Sequence, residues 1–198
     1  MDARSDDYRA RLLAGMQEAI AELGFAELTV ADVVRRARVS KRTFYEHFDS
    51  KEECLLALFQ ARSEEVLSAI EAAIAPLPPG EARIVAGTTA YLSSLQADAG
   101  AVRTRFVEIL HLGERGLGVR RLVVRRFGAL LMREMEAAGV RVEPSPALAT
   151  ALVGGINELV LEALEEDRAD RLTELFPSVT ALIRAFLGPA PDAARDRG

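Results

Sequence analysis

The sequence predicts an all-α protein. Apolar residues recur every three or four positions through most of its 198 residues, the spacing that places them on one face of a helix. β-branched residues do not alternate with polar ones over any stretch that would make a convincing strand. Hydrophobic residues make up 49% and charged residues 28% of the chain, a balance typical of globular proteins that bury a core.

The N-terminal part is expected to form three helices. An apolar stripe through residues 8–23 predicts the first, which should end at the glycine that follows. Thr29 and Ser40 can cap two further short helices, at residues 30–37 and 41–48. Because only three residues separate these two helices, they have the spacing of a helix-turn-helix unit.

The rest of the chain is also predicted to be helical. Ser50 and Glu53 form a capping box for a long helix that ends near residue 74, and the proline-rich residues 76–80 break the chain after it. Five further helices are predicted, at residues 81–97, 101–112, 117–138, 145–166 and 170–187. Residues 188–198 contain two prolines and are expected to be a disordered tail.

Composition argues against several other classes of protein. No apolar run approaches the roughly 20 residues that cross a bilayer, and the acidic N-terminus is unlike a secretory signal. A single cysteine, Cys54, cannot form an internal disulfide, and two histidines are too few for a His-rich metal site. We therefore expect a cytoplasmic protein without a membrane partner.

Residues 29–51 carry a net positive charge. This segment holds six Lys or Arg against three Asp or Glu, a net charge of +3, whereas the rest of the chain carries −8. The total charge of −5 argues against a surface that is coated with nucleic acid, but a confined positive segment suits a local contact. A solvated helix face would have the same composition, so charge alone leaves both interpretations open.

The predicted turn and third helix carry residue types that suit duplex DNA. The inner positions are apolar, and they are Val33, Val34, Ala37, Val39, Phe44 and Phe48. The outer positions are polar or positive, and they are Lys41, Arg42, Thr43, Tyr45 and His47. Arg42 and Thr43, near the helix start, are best placed to reach base edges, while the other side chains suit phosphates. An ordinary helical hairpin remains the alternative.

A longer pattern runs through residues 12–58. It consists of Ala19-x-x-x-x-Gly24-Phe25, Leu28-Thr29-Val30-x-x-Val33 and Val39-Ser40-Lys41-x-Thr43-Phe44-Tyr45-x-His47-Phe48-x-Ser50-Lys51-Glu52. This pattern resembles the N-terminal DNA-binding domain of the TetR family of transcriptional regulators. The resemblance implies that Thr29, Tyr45, His47 and Lys51 contact phosphates while residues 41–43 face the groove.

The predicted DNA-binding residues are therefore Thr29, Ser40, Lys41, Arg42, Thr43, Tyr45, His47 and Lys51. One of them departs from the family pattern, because Arg42 stands where members often have glycine. Its long charged side chain could contact a guanine or a phosphate. The operator sequence consequently cannot be taken over from relatives.

For the second half of the chain, the resemblance implies dimerisation through the last two helices. Both predicted helices have wide apolar faces, and Gly154 with Gly155 would allow a partner helix to approach closely. The predicted dimer interface is formed by Leu152, Gly155, Ile156, Leu159, Val179, Leu182, Ile183 and Phe186. Burial of these faces within one chain is the alternative, but a symmetric pair of helix-turn-helix units can read a palindrome.

The resemblance also implies a pocket for an effector molecule. His111 and Asn157 are polar residues within apolar helical stretches, and Tyr91, Phe127 and Met135 could complete a cavity with them. The predicted pocket residues are Tyr91, Phe106, Leu110, His111, Phe127, Leu131 and Asn157. A histidine or asparagine satisfied within the protein interior would give the same pattern.

These features predict a DNA-binding domain at residues 1–50 and an effector-binding and dimerisation domain at residues 51–187. The expected function is that of a homodimeric repressor, released from a palindromic DNA operator by a small molecule. An all-helical adaptor without DNA binding is the alternative. Because no nucleophile–base pair, metal set or cofactor loop occurs at a recognisable spacing, we predict no enzyme, catalytic residue, metal or cofactor.

Overall fold

The fold is all-α, as predicted. A computed structural model describes residues 3–99, 102, 106–139 and 145–187. Its α-helices are α1 (Ala3–Glu27), α2 (Val30–Ala37), α3 (Lys41–His47), α4 (Lys51–Ile74), α5 (Glu81–Gln96), α6 (Gly113–Ala137), α7 (Pro146–Glu165) and α8 (Phe176–Leu187). Two 3₁₀ helices, Glu108–Leu112 and Ala169–Leu175, precede α6 and α8. No strand occurs in the described ranges, and the predicted disordered tail lies outside them.

The chain divides into two compact units. The first consists of Met1–Glu65 with Asp98–Arg121, and the second of Val66–Ala97 with Leu122–Gly198. The domain boundary predicted at residue 50 stays a prediction. In the structure, the first residues of α4 contribute Cys54, Leu55 and Leu58 to the hydrophobic core of the first unit.

The first unit is built on close packing of α1 against α2. Leu12, Met16 and Phe44 are fully buried in its core. A Cβ at Gly15 would lie 2.7 Å from the carbonyl oxygen of Val33, so only a glycine allows the two helices to approach this closely.

The helices of the first unit follow the prediction with two changes. The regular helix of α1 is interrupted at Gly24 (φ +72°), where its end is predicted, but a further helical turn extends α1 to Glu27. A residue without a Cβ adopts this backbone conformation with little strain, so the glycine bends the chain before α2 begins. α2 covers the predicted residues, while α3 ends at His47, one residue early.

Two helices predicted in the second half are wrong in part. In the described part of residues 101–112, Glu108–Leu112 is a 3₁₀ helix, and α6 begins at Gly113 instead of residue 117. Residues 170–187 are divided between the second 3₁₀ helix and α8. Apolar periodicity does not separate three from 3.6 residues per turn over so short a segment. Pro177, in the first turn of α8, favours the start of a helix at this point.

One helix contradicts the expectation that no apolar segment is long enough to cross a bilayer. α7 has 20 residues and a mean hydropathy of 1.5, enough by length and composition alone to cross a membrane. This is weak evidence, because the core helix of a globular protein passes the same test. Leu152, Val160 and Ala163 on this helix are buried, although only 39% of its apolar window is buried in all. α6 also approaches α7 closely, since a Cβ at Gly128 would lie 3.0 Å from the Cβ of Ala149.

Candidate nucleic-acid interface and ligand cavity

A tight backbone turn connects α2 to α3. Arg38 adopts a left-handed conformation at φ 54°, and its amide donates to the carbonyl of Arg35 at 3.3 Å. The next amide, that of Val39, donates to the carbonyl of Val34 at 3.1 Å. Ser40 then caps α3. These contacts fix the direction in which α3 leaves the turn, as a helix-turn-helix unit requires.

Most of the predicted DNA-binding residues lie on α3 or at its cap. They are Ser40, Lys41, Arg42, Thr43, Tyr45 and His47. The Ser40 hydroxyl accepts from the amide of Thr43 at 3.0 Å, and the hydroxyls of these two residues are 2.9 Å apart. Lys41 is exposed, and Tyr45 is 56% exposed although its ring packs edge-on against buried Phe44. The exposed side of α3 is therefore polar and holds tyrosine in a defined position.

Thr29 is exposed and caps α2. Its amide donates to Oδ2 of Asp32 at 3.0 Å, and its hydroxyl lies 2.7 Å from the same oxygen. These hydrogen bonds, and then the nearby Arg35 and Arg36, hold the pKa of the Asp32 carboxyl below its ordinary value of 3.8. Thr29 thus has a structural partner in addition to its predicted role at phosphate.

The cations of residues 29–51 are not equally available to an anion. Arg35 pairs with Asp32 and Arg36 pairs with Glu22. The Lys51 ammonium donates to three backbone carbonyls of the first unit. The exposed side chain of Lys41 is therefore better placed for DNA than these three cations.

Arg11, which lies on α1, stabilises the turn between α2 and α3. The sequence does not predict this role. Its guanidinium donates to the carbonyl of Ala37 at 3.0 and 2.7 Å, and to that of Arg38 at 2.6 Å. The contact joins positions 26 and 27 residues apart, so no local spacing reveals it. The sequence signal is only the end of α2, whose last carbonyls need donors from elsewhere.

A separate apolar cavity of about 320 Å³ lies in the second unit. Its lining residues come from α6, α7 and α8, and they are Leu131, Met132, Met135, Leu148, Ala149, Leu152, Ala185 and Phe186. Leu131 and Met135 are predicted pocket residues, whereas Leu152 and Phe186 are predicted at the dimer interface. The cavity has the size and apolar character of a small-molecule site.

The other predicted pocket residues do not line this cavity. Tyr91 and Phe127 contact each other edge-on in the second unit, with ring centroids 6.2 Å apart. Asn157 is half-buried on α7. Phe106, Leu110 and His111 belong to the first unit. There Leu110 is exposed and the ring of His111 is 3.1 Å from buried Glu108.

The predicted dimer-interface residues are largely packed within the single chain. Leu152, Ile156, Val179 and Ile183 are buried, while Gly155, Leu159, Leu182 and Phe186 are half-buried. Contacts inside one chain thus account for half of the set, and the dimer stays a prediction. Gly154 is more open, because a Cβ there would meet no atom within 4 Å.

Cys54 is a buried core residue. Burial raises the pKa of its thiol to about 12, so the side chain stays protonated at neutral pH. Within the described ranges, no group of three or more His, Cys, Asp or Glu is placed to hold a metal ion.

An all-helical chain whose α2 and α3 form this turn belongs structurally to the helix-turn-helix proteins. Its residues 12–58 match the model of the bacterial regulatory proteins of the tetR family. This match confirms the predicted resemblance over residues 12–58.

Two curated relatives support this assignment, and both come from Mycolicibacterium smegmatis. The HTH-type transcriptional activator FasR is 28% identical over 101 residues, 51% of this chain and 46% of the relative. The HTH-type transcriptional regulator EthR is 34% identical over 80 residues, 40% of this chain and 37% of the relative. The chain therefore spans less than half the length of these relatives in the matched regions.

Solved structures extend the likeness of fold to almost the whole chain. The fatty acid degradation regulator FadR from Bacillus halodurans has a TM-score of 0.76 and 23% identity, covering 100% of this chain and 99% of that one. FadR from Bacillus subtilis, in complex with stearoyl-CoA, has a TM-score of 0.75 and 19% identity, covering 88% and 96%. At these identities the likeness shows a TetR-type fold.

Proposed function

We propose that the protein is a homodimeric, cytoplasmic transcriptional repressor that binds a palindromic DNA operator through α3 and is released by a small-molecule effector. The observation that carries the proposal is α3 itself. It is held by the Arg38 turn and the Ser40 cap, and it presents exposed Lys41, Arg42 and Tyr45 in a segment of net positive charge. A short helix presented this way matches the groove-reading helix of a helix-turn-helix protein.

The roles of the α3 residues follow from their chemistry and exposure. Lys41 and the Tyr45 hydroxyl can donate to phosphate oxygens, and half-buried His47 is proposed to do the same. Arg42 and Thr43 lie in the first turn of α3, where side chains reach base edges. We therefore propose that the first group sets affinity and the second group sets sequence preference.

DNA binding is tested with duplexes from around the protein's own coding region, by fluorescence anisotropy at several salt concentrations. We expect affinity to fall steeply with salt, because phosphate contacts release counterions. Tyr45→Phe removes one hydroxyl while keeping the ring against Phe44, so it should weaken all duplexes to the same extent. Glu64→Gln, an exposed change on α4, is the matched control. Wild-type affinity that is low and independent of salt would contradict the proposal.

The effector is proposed to be a molecule with an apolar chain. The cavity of about 320 Å³ offers only apolar side chains, two of them flexible methionines, so burial of hydrocarbon is the available source of affinity. A structural neighbour, FadR from Bacillus subtilis, has been solved with stearoyl-CoA. An acyl-CoA or a similar amphiphile is therefore the first class of ligand to test.

The test titrates acyl-CoA esters of increasing chain length against the complex of protein and operator, with CoA alone as the control ligand. Each buried methylene contributes about 0.8 kcal/mol, so the concentration that releases DNA should fall with chain length until the cavity is full. Ala185→Phe, at the cavity, should block release, whereas Ala129→Phe, exposed on α6, should not. Equal potency of CoA and its long-chain esters would exclude this effector class.

A further inference from the structure

The Lys51 ammonium is surrounded by backbone oxygens. Its Nζ donates to the carbonyls of Phe25 at 3.1 Å, Ala26 at 3.3 Å and Leu28 at 2.9 Å. It also lies 4.8 Å from the centre of the Phe25 ring, which is buried. An ammonium has three hydrogens to donate, and here each has an acceptor.

The backbone at the end of α1 explains why these oxygens need a cation. The kink at Gly24 interrupts α1, and the amide of Leu28 turns back to the carbonyl of Gly24 at 3.3 Å. The last carbonyls of a helix have no intrahelical donors and form its partially negative end. Lys51, the first residue of α4, supplies both the donors and the charge.

The same arrangement occurs at the end of α2. There the Arg11 guanidinium donates to the carbonyls of Ala37 and Arg38, immediately before the turn that leads to α3. The α1–α2 connection and the α2–α3 connection are thus each held by a cation from another helix. The two contacts are formed by different residues and involve different carbonyls.

We propose that Lys51 is a positioning residue and does not contact DNA phosphate. Its hydrogen bonds hold the start of α4 against the α1–α2 connection, and thereby fix the position of Thr29 and of the first turn of α2. The position of α3, which follows α2, depends on this contact. A direct phosphate contact, the role implied by the family resemblance, would require the ammonium to give up one of its three acceptors. This inference rests on the proposed DNA-binding function.

The experiment compares Lys51→Met with Lys51→Arg and with Lys41→Met, an exposed lysine at the start of α3. DNA affinity is measured against salt at a temperature where circular dichroism shows each variant fully folded. For Lys51→Met we expect about tenfold weaker binding at every salt concentration, with the wild-type slope. Lys51→Arg keeps donors at this position and should recover most of the affinity. Lys41→Met should reduce the salt slope by about one phosphate contact.

Two results would overturn the inference while leaving DNA binding intact. A smaller salt slope in Lys51→Met would mean that the ammonium neutralises a phosphate. Unchanged affinity of the folded variant would mean that Lys51 contributes to stability alone.

Hydrogen exchange of the free protein provides a test that is independent of DNA. In Lys51→Met, the amides of Leu28 and Asp32, which bond within this connection, should exchange at least about tenfold faster. Unchanged protection would overturn the positioning role. Failure of the wild-type protein to bind any duplex would instead refute the proposed function itself.

Discussion

The Arg42 guanidinium lies 3.0 Å from Oε1 of Glu46, one turn further along α3. The side chain of Arg42 is 89% exposed and that of Glu46 is 55% exposed, so the pair stands in solvent on the proposed groove-reading helix. An exposed pair at this spacing contributes only about 0.3–0.5 kcal/mol. Arg42 is therefore oriented by Glu46 in the free protein and can exchange this partner for a base at little cost.

This pair predicts opposite effects of two substitutions on DNA recognition. Arg42→Ala should remove discrimination at one position of each half-site, costing about 1–3 kcal/mol against the preferred base only. Glu46→Gln should strengthen binding to all duplexes, because it removes a negative charge beside the DNA and releases Arg42. A panel of operators with single base changes measures both effects. A uniform loss for Arg42→Ala would instead indicate a phosphate contact.

The cap of α2 predicts a pH dependence of stability. The pKa of Asp32 is held below 3.8 in the folded protein, so its ionised form stabilises the fold above that pH, and the contribution is lost as pH falls through the folded value. Asp32→Asn lacks this ionisation. The stability difference between wild type and Asp32→Asn should be constant from pH 7 to pH 5 and should shrink below about pH 4.

Thermal melts of the two proteins at each pH measure this difference. Glu18→Gln, an exposed change on α1, is the control and should show no comparable loss. A difference between wild type and Asp32→Asn that grows on acidification would contradict the assigned role of the Asp32 carboxylate.

Local sequence signals predict the helix-turn-helix unit well and the rest of the chain less well. Thr29 and Ser40 cap α2 and α3 where their spacing indicates, because capping depends on atoms only three residues apart. Contacts between distant positions leave no such signal, as with Arg11 and the carbonyl of Ala37, or Lys51 and those at the end of α1. The predicted pocket residues are mostly polar or aromatic, and among them only Leu131 and Met135, which are neither, line the cavity.

Substituting alanine for Gly15 and for Gly118 should have opposite effects on stability, because one glycine is closely packed and the other is not. A Cβ at Gly15 would lie 2.7 Å from the carbonyl oxygen of Val33 and 2.8 Å from the amide nitrogen of Ala37, so α1 and α2 would have to separate. Gly118 lies within α6, and a Cβ there would meet no atom within 4 Å. Gly15→Ala should therefore destabilise the protein by about 2 kcal/mol or more, as overpacking does.

Gly118→Ala should by contrast stabilise it by up to about 1 kcal/mol, because alanine has the higher helix propensity. Urea denaturation of both variants measures the two changes. Similar effects of the same sign would mean that α1 and α2 do not cross at Gly15 as the structure describes.

A substitution at Gly154 distinguishes the proposed dimer from burial of the same apolar helix faces within a single chain. A Cβ at this position on α7 meets no atom of its own chain within 4 Å, so Gly154→Leu should leave the fold of the protomer intact. If a partner helix approaches closely at this point, the leucine should prevent association.

We expect sedimentation equilibrium to show a dimer for wild type and a monomer for Gly154→Leu. The variant should then bind a palindromic operator at least about tenfold more weakly, because each half-site is held by an independent protomer. Gly118→Leu, at a position where an added Cβ likewise has no neighbour within 4 Å, is the control and should remain dimeric. A Gly154→Leu variant that is still a stable dimer would place the interface elsewhere, whereas a monomeric wild-type protein would refute the dimer altogether.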